Sequence, residues 1–134
     1  MYKWIFVLLV INLFVSSCGE EPQNTKEEKE AYRPLIERED GQYREWYPGH
    51  KQLKLTGRED SQGRRTGVWK MFTPEGYDIA ITVYKAGKRH GHIIVYHPNG
   101  AIHYTGEYEE DERIGEWKFY DENGKYVKTE NFSK

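Results

Sequence analysis

A ten-residue phrase recurs three times along this chain. It reads Gly67-Val68-Trp69-Lys70-Met71-Phe72-Thr73-Pro74-Glu75-Gly76, then Gly91-His92-Ile93-Ile94-Val95-Tyr96-His97-Pro98-Asn99-Gly100, then Gly115-Glu116-Trp117-Lys118-Phe119-Tyr120-Asp121-Glu122-Asn123-Gly124. Each copy begins 24 residues after the last, with an aromatic five residues and a second Gly nine residues after the first Gly. A fixed period in the twenties marks a repeat array, in which each unit buries its apolar surface against its neighbour. That single regularity excludes most folds before any other residue is considered.

Each unit reads as a β-hairpin. A first strand runs from the leading Gly to the aromatic, over 67–72, 91–96 and 115–120. Four connecting residues follow: Thr-Pro-Glu-Gly, His-Pro-Asn-Gly and Asp-Glu-Asn-Gly. Pro in second place presets φ for a type I turn, and Gly in fourth place takes the positive φ that closes it. A second strand covers 77–84, 101–108 and 125–132. A polar turn, such as Lys85-Ala86-Gly87-Lys88-Arg89-His90, leads to the next unit. Nothing between strands is long enough for a crossover helix, so consecutive strands must be antiparallel neighbours. The expected fold is all-β: an elongated, twisted antiparallel meander of β-hairpin repeats with about eight strands. The glycines Gly67, Gly76, Gly91, Gly100, Gly115 and Gly124 place its bends.

Alternation sorts the faces. Trp69, Met71, Ile93, Val95, Trp117 and Phe119 share one face with Trp46, and cross-strand counting adds Leu53, Leu55, Ile102, Tyr104 and Tyr108. Phe72, Tyr96 and Tyr120 fall on the other face as a ladder, with Tyr47 at its edge. Ile79, Ile81 and Val83 also lie on the ladder side. The first unit is degenerate, as a capping repeat is expected to be: Tyr47 is matched to Phe72, and Lys51 stands for the turn Gly. The units are then 42–66, 67–90, 91–114 and 115–134, together a repeat domain over 43–134.

The chain before the repeats has a different character. Lys3 and the nearly all-apolar stretch Trp4 to Val15 read as a signal h-region, since twelve residues rise only ~18 Å as a helix against a ~30 Å hydrocarbon core. Val15-Ser16-Ser17-Cys18 resembles a bacterial lipobox, which implies a signal peptide over 1–17, lipid on Cys18 and exported attachment to the cell envelope. Gly19 in place of Asp resembles the signature of outer-membrane destination, on its periplasmic side or its surface. Cys18 is the only cysteine, so no intrachain disulfide is possible. Residues 19–42 hold eight acids and four bases, and read as an acidic tether over 18–42. Residues 43–134 hold fourteen acids and fifteen bases, a balance that predicts no nucleic-acid partner.

The phrase Gly-x-Trp-x-x-Tyr-x-x-x-Gly, followed by Tyr-x-x-Gly-x-x-x-Gly, resembles the bacterial MORN-repeat variant. Trp69, Gly76, Tyr84, Gly87 and Gly91 carry it in the second unit; Tyr96, Gly100, Tyr108 and Gly115 in the third; Trp117, Tyr120 and Gly124 in the fourth. Ile93 in place of Trp and Asp111 in place of Gly are departures. The resemblance implies a binding or scaffolding surface. Antitoxin-like labels on some members suggest an immunity function, which the lipobox would put outside the cytoplasm.

Catalytic patterns are missing from the chain. It has no Gly-x-Ser-x-Gly, no phosphate-cradling Gly loop, and no cysteine left to act as nucleophile once Cys18 is acylated. We expect no enzyme, no cofactor and no metal site. His92 and His103 are expected to be diagonal neighbours on one face, since a four-residue turn sets Ile94 opposite His103; no third ligand accompanies them. The candidate binding residues are Tyr47, Phe72, Tyr96, Tyr120, His92 and His103. Exposed aromatics of this kind suit a protein partner or, alternatively, a carbohydrate or cell-wall ligand. Specificity is expected where the copies differ, as at His92, at Ile79 to Val83 and at the turn tips.

Overall fold

A computed structural model describes residues 35–133. The stretch expected to be a signal peptide (1–17), Cys18 and most of the expected acidic tether lie outside the described residues. Among the described residues there is no helix, and nine strands form one antiparallel sheet in sequence order. They are β1 (Ile36–Glu39), β2 (Gln42–Trp46), β3 (Leu53–Glu59), β4 (Arg65–Phe72), β5 (Asp78–Lys85), β6 (Lys88–Tyr96), β7 (Ile102–Glu109), β8 (Glu112–Tyr120) and β9 (Tyr126–Phe132). The expected meander is therefore present, with one more strand than expected. The extra one is β1, from the stretch read as tether; Ile36 pairs with Glu45 and Glu39 with Gln42.

The phrase turns are built as their residues dictate. The amide N–H of Gly76 donates to the Thr73 carbonyl at 3.0 Å, Gly100 to His97 at 2.9 Å, and Gly124 to Asp121 at 2.9 Å. All three glycines have positive φ, between 75° and 93°. The links between units are tighter than the sequence suggests. Three are two-residue turns with both residues at positive φ: Asp40-Gly41, Ala86-Gly87 and Glu110-Asp111. This type I′ geometry matches strand twist. Asp111 accepts the left-handed slot that Gly87 fills in the preceding turn, and its carboxylate receives both the backbone N–H and the Nε–H of Arg89 at 2.9 Å. The leading glycines Gly67, Gly91 and Gly115 sit inside β4, β6 and β8, not at their starts, with φ of 65°, 114° and 64°. They lie where the register to the preceding strand shifts, so they kink strands rather than begin them.

The first unit is less degenerate than its sequence suggests. His50 N–H donates to the Tyr47 carbonyl at 3.1 Å, as Gly76 does to Thr73. Tyr47 is thus the first residue of a turn, equivalent to Thr73, and the residue equivalent to Phe72 is Trp46. Gly41, with φ of 73°, then corresponds to Gly67, and Tyr43 to Trp69. His50 occupies the turn-Gly slot with φ of 51°, and Lys51 is an insertion. The assignment of Tyr47 to the ladder is corrected by one residue.

That phase explains the core. Among the described residues the buried apolar side chains are Tyr43, Leu55, Trp69, Ile93, Tyr108 and Trp117, of which Trp117 is fully buried. Tyr43, Trp69, Ile93 and Trp117 are one repeat position. Tyr43 stacks on Trp69 at 5.1 Å, and Tyr84 meets Trp69 edge-on at 6.1 Å. Tyr108 and Phe132 meet Trp117 edge-on at 5.0 and 6.0 Å. Of the other residues expected on this face, Met71 and Ile102 are exposed; Trp46, the equivalent of Phe72, takes a ladder-side position instead and is half-buried against His50, ring centroids 5.9 Å apart.

Trp69 and Trp117 are each seated on a glycine of the preceding strand. A Cβ on Gly57 would fall inside the indole of Trp69, and one on Gly106 inside that of Trp117. In the middle unit the pair changes together: Thr82 stands opposite Ile93. The smaller Ile leaves room for the side chain that Trp excludes.

Candidate functional site: the uncovered face and the turn edge

A single sheet has two faces, and here they are finished differently. The Trp face is roofed by arginines four residues before Trp69, Ile93 and Trp117, and by Arg38, whose guanidinium lies 4.9 Å above Tyr43. The Arg65 guanidinium lies 4.4 Å above Trp69, and that of Arg113 4.4 Å above Trp117. Arg89, which has no indole at position 93 to cover, lies 4.0 Å above Tyr108. Such cation–π contacts stabilise and shield the rings. Ion pairs occupy the basic turn residues: Lys88 pairs with Glu110 at 2.8 Å and Arg89 with Asp111 at 2.9 Å. Burial holds the Tyr104 hydroxyl above its ordinary value.

Among the described residues the opposite face has no comparable roof. Register places Val68 beside Val83. It also runs a row from Lys70 through Ile81, Ile94, Thr105 and Lys118 to Thr129. Val68 is 52% exposed; Ile79, Ile81, Val83 and Ile94 are half-buried. Beside this apolar strip is a shallow depression of roughly 390 Å³ lined by His92, Ile94, Thr105, Glu107, Glu116 and Lys118. The residues that differ between copies, His92 and the β5 isoleucines and valine, are therefore gathered on one face.

The ladder does not exist as a continuous stack. Among the described residues no ring contact joins any two of Tyr47, Phe72, Tyr96 and Tyr120. The last three are on β4, β6 and β8, so an intervening strand separates each from the next by ~9.6 Å. Tyr120 instead meets Tyr126 at 6.2 Å, and the Tyr47 hydroxyl donates to the Phe72 carbonyl at 2.9 Å. The histidine pairing is also corrected. A bulge at Val95/Tyr96 sets Ile94 opposite Thr105, not His103, and His92 opposite Glu107. Four residues of strand, ~13 Å, separate Glu107 from His103. His103 stacks on His97 at 4.2 Å. Among the described residues no three His, Cys, Asp or Glu side chains converge in a metal-binding group.

The glycine seats, the arginine roof and the Thr82/Ile93 exchange escaped the sequence reading. Their signals are nonetheless present: Gly57 and Gly106 precede Trp69 and Trp117 by 12 and 11 residues, and Arg65, Arg89 and Arg113 each stand four before the core position.

A search of curated proteins found no match to this chain. Residues 89–110 and 113–134 each match the MORN repeat variant. The two matched stretches are the third and fourth hairpins of the sheet, and they support a MORN-repeat protein.

Proposed function

We propose that this is a non-enzymatic, lipid-anchored envelope protein whose β-repeat sheet is a scaffold for a protein partner, docked on the face opposite Trp69 and Trp117. The observation that carries the reading is the contrast between the faces. Among the described residues, one is sealed by arginines over rings, while the other leaves Val68, Ile79, Ile81, Val83 and Ile94 without a covering layer. Apolar area left uncovered beside polar residues suits a protein interface. The MORN repeat family is generally non-catalytic and used for binding. Anchoring rests on the lipobox residues ending at Cys18, and attachment through acyl chains suits a protein that holds another at a membrane.

The test is crosslinking in the native envelope. A photoreactive residue in place of Ile81 is expected to capture a protein that one in place of Met71, on the Trp face, does not. Equal capture from both faces, or capture of glycan alone, would overturn the reading. Labelled fatty acid is expected on the wild-type chain and absent from Cys18→Ala; incorporation into both would remove the anchor.

A further inference from the structure

The first residue of each phrase turn has a recurrent task. The Tyr47 hydroxyl donates to the Phe72 carbonyl at 2.9 Å, tying the first unit to the second. His97 Nε2 lies 2.9 Å from the Tyr120 carbonyl, tying the third to the fourth, and Asn99 Nδ2 adds a bond to the Glu122 carbonyl at 2.6 Å. Thr73 holds the same position between the second and third units. Its side chain is too short to reach Tyr96; it accepts instead from the Tyr77 N–H of its own turn at 3.2 Å. No side chain of this turn, among the described residues, ties it to the next.

A cleft of roughly 230 Å³ occupies that junction, lined by Thr73, Tyr77, Asp78, Ile79, Tyr96 and His97, with Pro98 at its rim. Tyr77 is 63% exposed, and its ring packs on no other ring among the described residues. The Asp78 carboxylate is half-buried and takes part in no hydrogen bond or ion pair among the described residues. His97 donates through Nε2 to reach a carbonyl, so in the neutral imidazole Nδ1 is an acceptor. The cleft thus combines two aromatic rings, an uncompensated carboxylate and a second acceptor. The equivalents of Tyr77 and Asp78 in the next units are Ala101 and Ile102, then Lys125 and Tyr126, so the combination belongs to this junction.

We infer that this cleft binds an organic cation, the ammonium or guanidinium of a lysine or arginine side chain presented by the protein partner. Aromatic faces and a carboxylate attract a cation together. The volume is below the range of drug-sized ligand pockets and suits one side chain. The inference rests on the protein-partner reading above.

NMR titration of the full chain with Nα-acetyl-lysine methylamide, Nα-acetyl-arginine methylamide, choline and the neutral Nα-acetyl-norleucine methylamide tests it. The lysine or arginine derivative is expected to shift the Tyr77, Asp78 and Tyr96 resonances, and the norleucine derivative to leave them. Asp78→Asn is expected to weaken binding at least tenfold. Thr73→His, which restores the tie and fills the cleft, is expected to abolish binding while the fold is kept or strengthened. No shifts, equal shifts with norleucine, or undiminished binding to both variants would overturn the inference. Binding of choline but of neither amino-acid derivative would also overturn it, in favour of a lipid headgroup. Cation binding that survives while Ile81 crosslinking captures nothing would count against the scaffold reading alone.

Discussion

The indole of Trp117 rests on the backbone of Gly106 with no space for a Cβ between them, and Trp117 is 0% exposed in a sheet only one layer thick. The burial is possible because glycine lowers the floor while Tyr104, Tyr108 and Phe132 wall the ring and Arg113 roofs it.

Gly106→Ala is expected to destabilise strongly. Propensity alone favours Ala over Gly in a strand by about 0.5–1 kcal/mol. The steric conflict with a fully buried ring outweighs it, at ~3 kcal/mol, the upper part of the range for overpacking. Gly124→Ala acts differently. Its Cβ meets open space, and the cost is the positive φ of 75°, about 1–2 kcal/mol. Urea unfolding followed by tryptophan fluorescence separates the two; equal losses would contradict the seating.

Thr82 and Ile93 are expected to couple. Ile93→Trp alone clashes with Thr82, and Thr82→Gly alone leaves a void, whereas the double variant recreates the Gly106/Trp117 arrangement. A double-mutant cycle should return a favourable interaction of about 1–3 kcal/mol. Additive single effects would show that the two positions do not share one space.

Acid should loosen the links between units. The hydrogen bonds from Arg89 hold the Asp111 carboxyl below its ordinary 3.8, and Lys88 holds Glu110 below 4.5. Within the first unit the hydrogen bond from Lys54 holds Glu45 below 4.5, and in the turn that follows the Arg64 backbone N–H holds Asp60 below 3.8. These values are depressed in the folded state. Their contribution is therefore complete above the ordinary carboxylate range and is lost as pH falls through the lower folded values. The urea midpoint should change little with these groups above pH ~5 and drop below pH ~4. Asp111→Asn should flatten that drop; an unchanged profile would remove Asp111 from the account.

Ile81→Lys tests the uncovered face. The side chain is half-buried on a face with no roof among the described residues, so a stability loss of only about 1 kcal/mol is expected. Capture of the partner, read with the photoreactive group moved to Val68, should fall sharply. Retained capture with a folded protein would exclude this face.

The hairpins, the antiparallel order and the two faces were legible in the chain. Their determinants are local: Pro and Gly in the phrase turns, and alternation with a period of two. The ionic ties were less visible, because Lys88–Glu110 and Arg89–Asp111 span 22 residues and join two successive turns. The candidate site was legible only in part. That His92 and the β5 aliphatics would matter as the variable positions could be read; that they share a face with a depression required the register.

What the sequence alone determined is the repeat: its 24-residue interval, its turn residues, and the side of the sheet on which Trp69, Ile93 and Trp117 fall. The tertiary structure alone decided the phase of the first unit, the seating of indoles on Gly57 and Gly106, the separation of His92 from His103, and the open junction at Thr73. The physical reason is that a bulge or an inserted residue shifts which residues face each other across strands. That shift is set by backbone hydrogen bonds and side-chain volume at the contact, which pattern and spacing do not record.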